Sequence, residues 1–493
     1  MTHPASRRRA LAAGLALPAA LLATRAGATP GVDEPPVPQP PRPLQLPPFS
    51  QQTLANGLTV VVAPRPELPL VSLTLALRAG PEADPAGRPG VADMLTTLWP
   101  KGATRGGRPV GASDIARQAE ALGSPLESRS GWGASTLAMT VTTARADAAL
   151  ALMADVLRRP LLAADELERA RTQALDALRV TLGSPGELAQ LALRRSFWGD
   201  VPHGRVAPPA AVQRLKLADL QAFQAAWVRP DQVALVLAGD ITPEAGLALA
   251  QRLLGDWKPP ATAAPALVLP APQPQARSLV LIDLPGAGQS SVMVAAPFVA
   301  QAAAERPVGL VANAVLGGGY SARLSQVVRI QRGLSYDARS VAESFAGGGM
   351  LTAQSQTNHP TAAQVLALLQ GEITRLADAP ATADELAARQ ATLVGGFARR
   401  LETTAGLSAV LVGQWAAGRP LADLAQHVPR LLAVTPAQVQ AFARQHWQAG
   451  ALRAVVVGDL AAAGASLGAQ VPDVLRLRLA ELDLEQAGLR KAG

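Results

Sequence analysis

Gly87-Arg88-Pro89-Gly90-Val91-Ala92-Asp93-Met94-Leu95-Thr96-Thr97-Leu98-Trp99-Pro100-Lys101-Gly102, preceded by Arg78-Ala79-Gly80, sets the interpretation of the whole chain. Glycine and proline at 87–90 punctuate the backbone and open a helix that the pattern predicts over Gly90 to Leu98. A Lys101-Gly102 turn follows it.

On either side of this stretch the periodicity alternates. Gly57 to Val62 and Leu70 to Leu75 are β-branched, flanked by Pro or Gly, and read as strands. Ala112 to Leu122, Ala144 to Leu157 and Asp165 to Leu182 read as helices, the last with an acidic first turn and a stop at Gly183-Ser184-Pro185. Ala234 to Ala238 is a short buried strand ending at Gly239-Asp240.

This order then repeats. Leu220-Gln221-Ala222-Phe223 matches Val439-Gln440-Ala441-Phe442, Ala238-Gly239-Asp240 matches Val457-Gly458-Asp459, and Ala164-Asp165-Glu166-Leu167 matches Ala383-Asp384-Glu385-Leu386. The offsets 442 − 223, 458 − 239 and 385 − 166 are each 219, which chance matches in an Ala/Leu-rich chain would not share. The fold class expected is α+β, built as two homologous halves. Residues 49–258 and 277–470 are the halves. The Pro/Ala-rich stretch 259–276 is a semi-rigid linker and 471–493 a C-terminal tail.

The chain has 493 residues, enough for several units with sizeable cores, and no cysteine, which excludes disulfides and thiolate metal sites. Hydrophobic residues make up 49% and aromatics only 3%, so the cores are built of Ala, Leu and Val. Ser6-Arg7-Arg8-Arg9, the apolar run Ala10 to Ala23 and Ala26-Gly27-Ala28 read as an export signal over 1–28. Its paired arginines fit twin-arginine export, and the general secretory route equally accepts them. The expectation is a periplasmic or secreted protein with no membrane span. A Pro-rich leader, 29–48, follows. Removing Arg7, Arg8, Arg9 and Arg25 lowers the net charge from +8 to 8 − 4 = +4. No basic run carries interleaved aromatics, which argues against nucleic acid as a partner.

The glycine-rich entry, the helix and the Lys-Gly turn resemble the pitrilysin/insulinase family of zinc peptidases, which includes the mitochondrial processing peptidases. The resemblance covers about Phe49 to Leu460. It implies that each half is a pair of sheet-plus-helix subdomains and that the halves form a clam-like chamber. In that family the helix bears His-x-x-Glu-His, and here Asp93-Met94-Leu95-Thr96-Thr97 stands in its place. Zinc needs imidazole or carboxylate donors at fixed spacing. Thr96 and Thr97 cannot replace a general-base Glu and a His ligand, and Asp93 alone binds metal only weakly. The family's third ligand, a Glu on a later helix, aligns with Ala177; Asp176 is one residue away, about 100° around the helix. These four degenerate positions imply that the chain itself binds no zinc. The five histidines, His3, His203, His359, His427 and His446, are scattered and read as surface or capping residues.

Leu316-Gly317-Gly318-Gly319-Tyr320-Ser321-Ala322-Arg323-Leu324, continuing to Arg329 and Tyr336, resembles the family's second signature, with 336 − 329 = 7 residues between the Arg and the Tyr. In active relatives that pair faces the zinc and holds the substrate backbone, stabilising charge on the scissile carbonyl. The structural alternative is an ion pair for Arg329 and a core position for Tyr336. The triglycine turns carry no phosphate-loop or dinucleotide spacing and read as backbone turns. Trp99 and Trp132 read as core or cavity wall. The resemblance therefore implies a non-zinc subunit of a heterodimeric metallopeptidase. Arg329 and Tyr336 act in trans, a homologous partner supplies zinc and His-x-x-Glu-His, and an extended or unfolded peptide is the substrate. A non-enzymatic scaffold or peptide-binding protein of the same fold is the other reading.

Overall fold

The computed structural model describes residues 44–467, 469 and 473–491. The expected signal, 1–28, and the leader as far as Pro43 lie outside the described residues. From Leu44 on, the chain forms one compact unit.

The first half contains β1 (Ser50–Thr53), β2 (Thr59–Pro64), β3 (Leu70–Leu77), a small hairpin of β4 (Gly102–Arg105) and β5 (Arg108–Gly111), β6 (Glu127–Arg129), β7 (Ser135–Thr142) and β8 (Val233–Gly239). The second contains β9 (Leu279–Asp283), β10 (Ser290–Phe298), β11 (Ala338–Phe345), β12 (Gly348–Thr357), β13 (Arg453–Gly458) and β14 (Val474–Arg478). Each half closes one six-stranded mixed sheet, ordered β1-β2-β8-β3-β7-β6 and β14-β9-β13-β10-β12-β11. The shared interior order is the structural form of the repeat. Helices obey it too: Ala164–Gly183 answers Ala383–Leu401 and Leu217–Trp227 answers Pro436–His446, with 383 − 164 and 436 − 217 both 219.

The α+β class and the two halves are as the sequence implies, and the two-lobed arrangement is consistent with a clam. One detail differs. Each half is a single sheet with its helices, not a pair of sheet-plus-helix subdomains. The reason is in the strands. β8 is buried along its whole length and β3 along all but its first residue, so both sheet faces must be covered. Each half covers one face with its own helices. The other face is covered by a helix from the opposite half. Thr404–Ala416 lays Leu407, Leu411 and Trp415 on Val61, Ala76 and Val236 of the first sheet. Reciprocally, Pro185–Trp198 lays Leu188, Ala192 and Leu193 on Val280, Met293 and Val455 of the second.

Polar pairs fix this exchange. Ser72 and Thr404 share a hydroxyl hydrogen bond of 2.7 Å, and Thr74 and Ser408 one of 2.8 Å. Arg78 donates to the Trp415 carbonyl at 2.8 Å while its guanidinium lies 4.3 Å from the Trp415 ring centre. Arg194 pairs with Glu343 at 2.8 Å and stacks on Trp132. His203 completes that junction. It is buried between Trp132, Trp198 and Phe345, so it is not the surface or capping residue expected. Burial next to Arg194 pushes it down to about 4 and keeps it neutral.

The linker is held as well. Gln273 and Gln275 donate backbone N–H groups to the carbonyls of Trp198 and Ser196, at 3.1 and 2.9 Å. Within the tail, Val474–Arg478 pairs in parallel with β9, and Leu475 and Leu477 enter the core under Pro185–Trp198. The alternating Leu-Arg pattern is thus an edge strand with one buried face.

Candidate functional site

The degenerate helix runs Val91–Leu98 and begins after Gly90, whose φ of +97° only glycine adopts without strain. No capping side chain stands at Gly90. The cap comes from Asp84, whose two carboxylate oxygens accept from Gly90 N at 2.6 Å and Ala92 N at 2.8 Å. Thr96 and Thr97 turn their hydroxyls back to the Asp93 carbonyl, at 3.0 and 2.8 Å. Both are therefore engaged with their own helix.

On the neighbouring helix, Ala164–Gly183, buried Ala170 and partly buried Ala174 pack into the same core as Val91–Leu98. Ala177 extends that stripe at i+7 of Ala170, exposed and without a donor, whereas Asp176 points away and pairs with Arg179 at 3.0 Å. The two helices pack together, and the side chains at the expected ligand positions do not fit zinc. Among the described residues no group of three His, Cys, Asp or Glu stands in metal-binding array.

Two buried carboxyls beside this helix escape the motif. Burial raises Glu82 to about 6 and Asp84 to about 7, against the backbone N–H donors that favour their ionised forms, and Asp93 adds repulsion to both. Glu82 accepts from Gly133 N at 3.0 Å through one oxygen and leaves the other without a partner. The sequence signal for Asp84 was an acid just ahead of a helix that lacks its own capping residue.

The second half differs. Arg306–Gly317 is a helix whose terminal Gly317 approaches β11 so closely that a Cβ would lie 2.3 Å from Ser340 N. Past the glycine turn, Ser325–Gln331 winds as a π-helix, a geometry common at functional sites. Arg329 projects from it, 4.8 Å from the Tyr320 ring centre, with no ion pair among the described residues. The other arginine of the signature, Arg323, is spent on structure, with a bidentate pair to Glu385 at 2.8 and 2.9 Å.

Gly333, at φ +62°, ends the turn by donating to the Arg329 carbonyl at 3.1 Å. Ser335 then closes a local turn with Asp337, accepting at 3.1 Å and donating at 2.8 Å. Tyr336 stands out of that braced turn, 90% exposed. Arg329 and Tyr336 thus line one cavity of about 870 Å³, together with Ser291, Arg339, Gln354 and Gln356. The wall is mixed, with Met293, Ile330 and Leu334 beside the polar groups, and exposed Tyr320 and Val341 are near neighbours in the chain. The cavity is lined wholly by residues 289–358. It brings the Arg and the Tyr together and excludes Asp93, Thr96, Thr97 and Ala177.

Trp99 is core, donating to Gln224 at 3.2 Å, and Trp132 belongs to the His203 junction. Ala346-Gly347 turns the β11–β12 hairpin, and Gly348 opens β12 opposite Phe345. No described helix is long and apolar enough to cross a membrane.

Comparison with known proteins bears on the fold. Residues 214–393 match the Peptidase M16 inactive domain. An uncharacterized zinc protease of Streptomyces coelicolor is 24% identical over 408 residues, covering 80% of this chain and 86% of the relative. The non-peptidase homolog YmxG of Helicobacter pylori is 25% identical over 265 residues, 52% of this chain and 59% of the relative. The crystal structure of a peptidase M16 inactive domain from Pseudomonas fluorescens superposes with a TM-score of 0.77 at 24% identity, covering 83% of this chain and 98% of that one. The chain has the M16 fold, and the family resemblance read from its motifs holds.

Proposed function

We propose that this M16-type chain, with the inactive domain of that family over residues 214–393, is the non-zinc subunit of a two-chain zinc metallopeptidase. The observation that carries the reading is the contrast within the molecule. The two helices at the degenerate positions carry no zinc ligand set, while Arg329 and Tyr336 line an open cavity. In this reading the zinc and its bound water belong to a homologous partner. Arg329 supplies a donor that stays charged, and Tyr336 a hydroxyl, both toward the carbonyl groups of an extended peptide. The braced turn fixes the backbone that carries Tyr336, which lessens the ordering left when substrate arrives. The export signal read in residues 1–28 supports a periplasmic location for the complex.

A second reading, an M16-fold scaffold without a catalytic part, is favoured by the non-peptidase homolog and the inactive-domain structure among its relatives. Co-expression with an M16 chain bearing His-x-x-Glu-His separates the two. The subunit reading expects a stable complex that cleaves an extended peptide, with activity absent from this chain alone. A complex that forms and cleaves equally well with Arg329→Ala and Tyr336→Phe together leaves the scaffold.

A further inference from the structure

A second cavity, of about 810 Å³, lies elsewhere in the second half, between Thr404–Ala416, the start of Arg306–Gly317 and the segment Leu421–Leu432. It shares no residue with the Arg329–Tyr336 cavity and stands independently of the peptidase reading. Four guanidiniums line it: Arg306, Arg400, Arg419 and Arg430. The lining has one carboxylate, Asp423, and it reaches only Arg419, at 3.6 Å.

Arg306 is the informative member. It is partly buried, its Nε is shielded from solvent with no partner, and it has no ion pair among the described residues. Its position is the first turn of a helix, where the backbone dipole already repels a cation. Desolvation, then repulsion from Arg419 and Arg400, disfavours its charge. His427, against the Phe397 ring, is pushed down to about 4 by burial and then by the same four arginines. Such a convergence of like charge is unfavourable unless something else neutralises it.

We infer that this cavity is a binding site for a small multivalent oxyanion, bearing phosphate or carboxylate groups, held by Arg306, Arg400, Arg419 and Arg430. Guanidinium forks match both groups bidentately. The volume suits a small molecule, and one helix face of Gly406, Ala409 and Gly413 keeps the space open.

The test is isothermal titration with inorganic pyrophosphate and, separately, citrate, with sodium chloride at matched ionic strength as control. The expected result is one saturable site per chain for at least one of the two anions, and their relative affinity tells a phosphate ligand from a carboxylate one. Arg306→Gln should weaken that affinity at least tenfold while raising the melting midpoint of the ligand-free protein, because it relieves the repulsion. Arg400→Gln with Arg430→Gln, at exposed positions that the fold tolerates, should weaken it similarly. Binding no different from chloride would overturn the inference. So would equal affinity in the wild type and the double variant.

Discussion

The Val91–Leu98 helix of the first half and the Ser325–Gln331 turn of the second treat their polar groups in opposite ways. In the first, Thr96 and Thr97 bond to their own backbone, Asp176 pairs with Arg179, and Ala177 has nothing to offer. In the second, Arg323 satisfies the structural need through Glu385, leaving Arg329 and Tyr336 facing an open cavity. Where chemistry has gone, side chains are absorbed into the fold. Where a polar pair is held in the open by a braced turn, the fold is being spent on something outside itself.

The comparison is sharpened most by reversing it. Asp93→His, Thr96→Glu, Thr97→His and Ala177→Glu together rebuild the ligand set on two helices that already pack against each other. The expected change is from no bound zinc to about one per chain, read by elemental analysis. Failure in a folded variant would mean that Ala177 is not the third position. Next in size is the effect of the retained pair. Arg329→Ala with Tyr336→Phe should lower peptide cleavage by the co-purified complex about 10²-fold or more, seen mainly in kcat, with assembly intact. Loss through KM alone would turn the pair into a docking contact.

Smaller effects probe the first half as plain structure. Asp84→Ala removes the side-chain cap of Val91–Leu98 and should cost about 1–2 kcal/mol in denaturant unfolding. The smallest is a pH effect. Glu82 rises from 4.5 to about 6, so its neutral form is favoured in the fold; its contribution is full below about pH 4.5 and is lost as pH climbs through 6. His203 and His427, lowered from 6.5 to about 4, act oppositely and lose stability as pH falls through that window. Glu82→Gln therefore raises the melting midpoint relative to wild type increasingly between pH 4.5 and 7. A difference that shrinks over that range contradicts the assignment.

Much of this was legible in the chain. The 219-residue offset, the strand and helix alternation and the two signatures follow from local pattern, because periodicity and turn residues act over a few positions. The exchanged helices were not legible. Thr404–Ala416 is apolar nearly all round, which says that it is buried and not which sheet buries it. The expected pair of subdomains in each half failed for the same reason, since the second face of each sheet is covered by a helix of the opposite half. Arg329 and Tyr336 were legible as a motif, while the exposure of Tyr336 depends on the turn of Ser335 and Gly333. The arginine cavity was invisible, because Arg306, Arg400, Arg419 and Arg430 are far apart until three helical segments meet.

The central claim is that zinc and the Arg/Tyr pair reside on different chains. Zinc content measured by elemental analysis, with peptide cleavage assayed in parallel, on the pure chain and on its complex with a His-x-x-Glu-His homologue tests it most directly. The account predicts no zinc and no cleavage for the chain alone, and about one zinc per heterodimer with cleavage in the complex. Stoichiometric zinc and cleavage from the lone chain would contradict it.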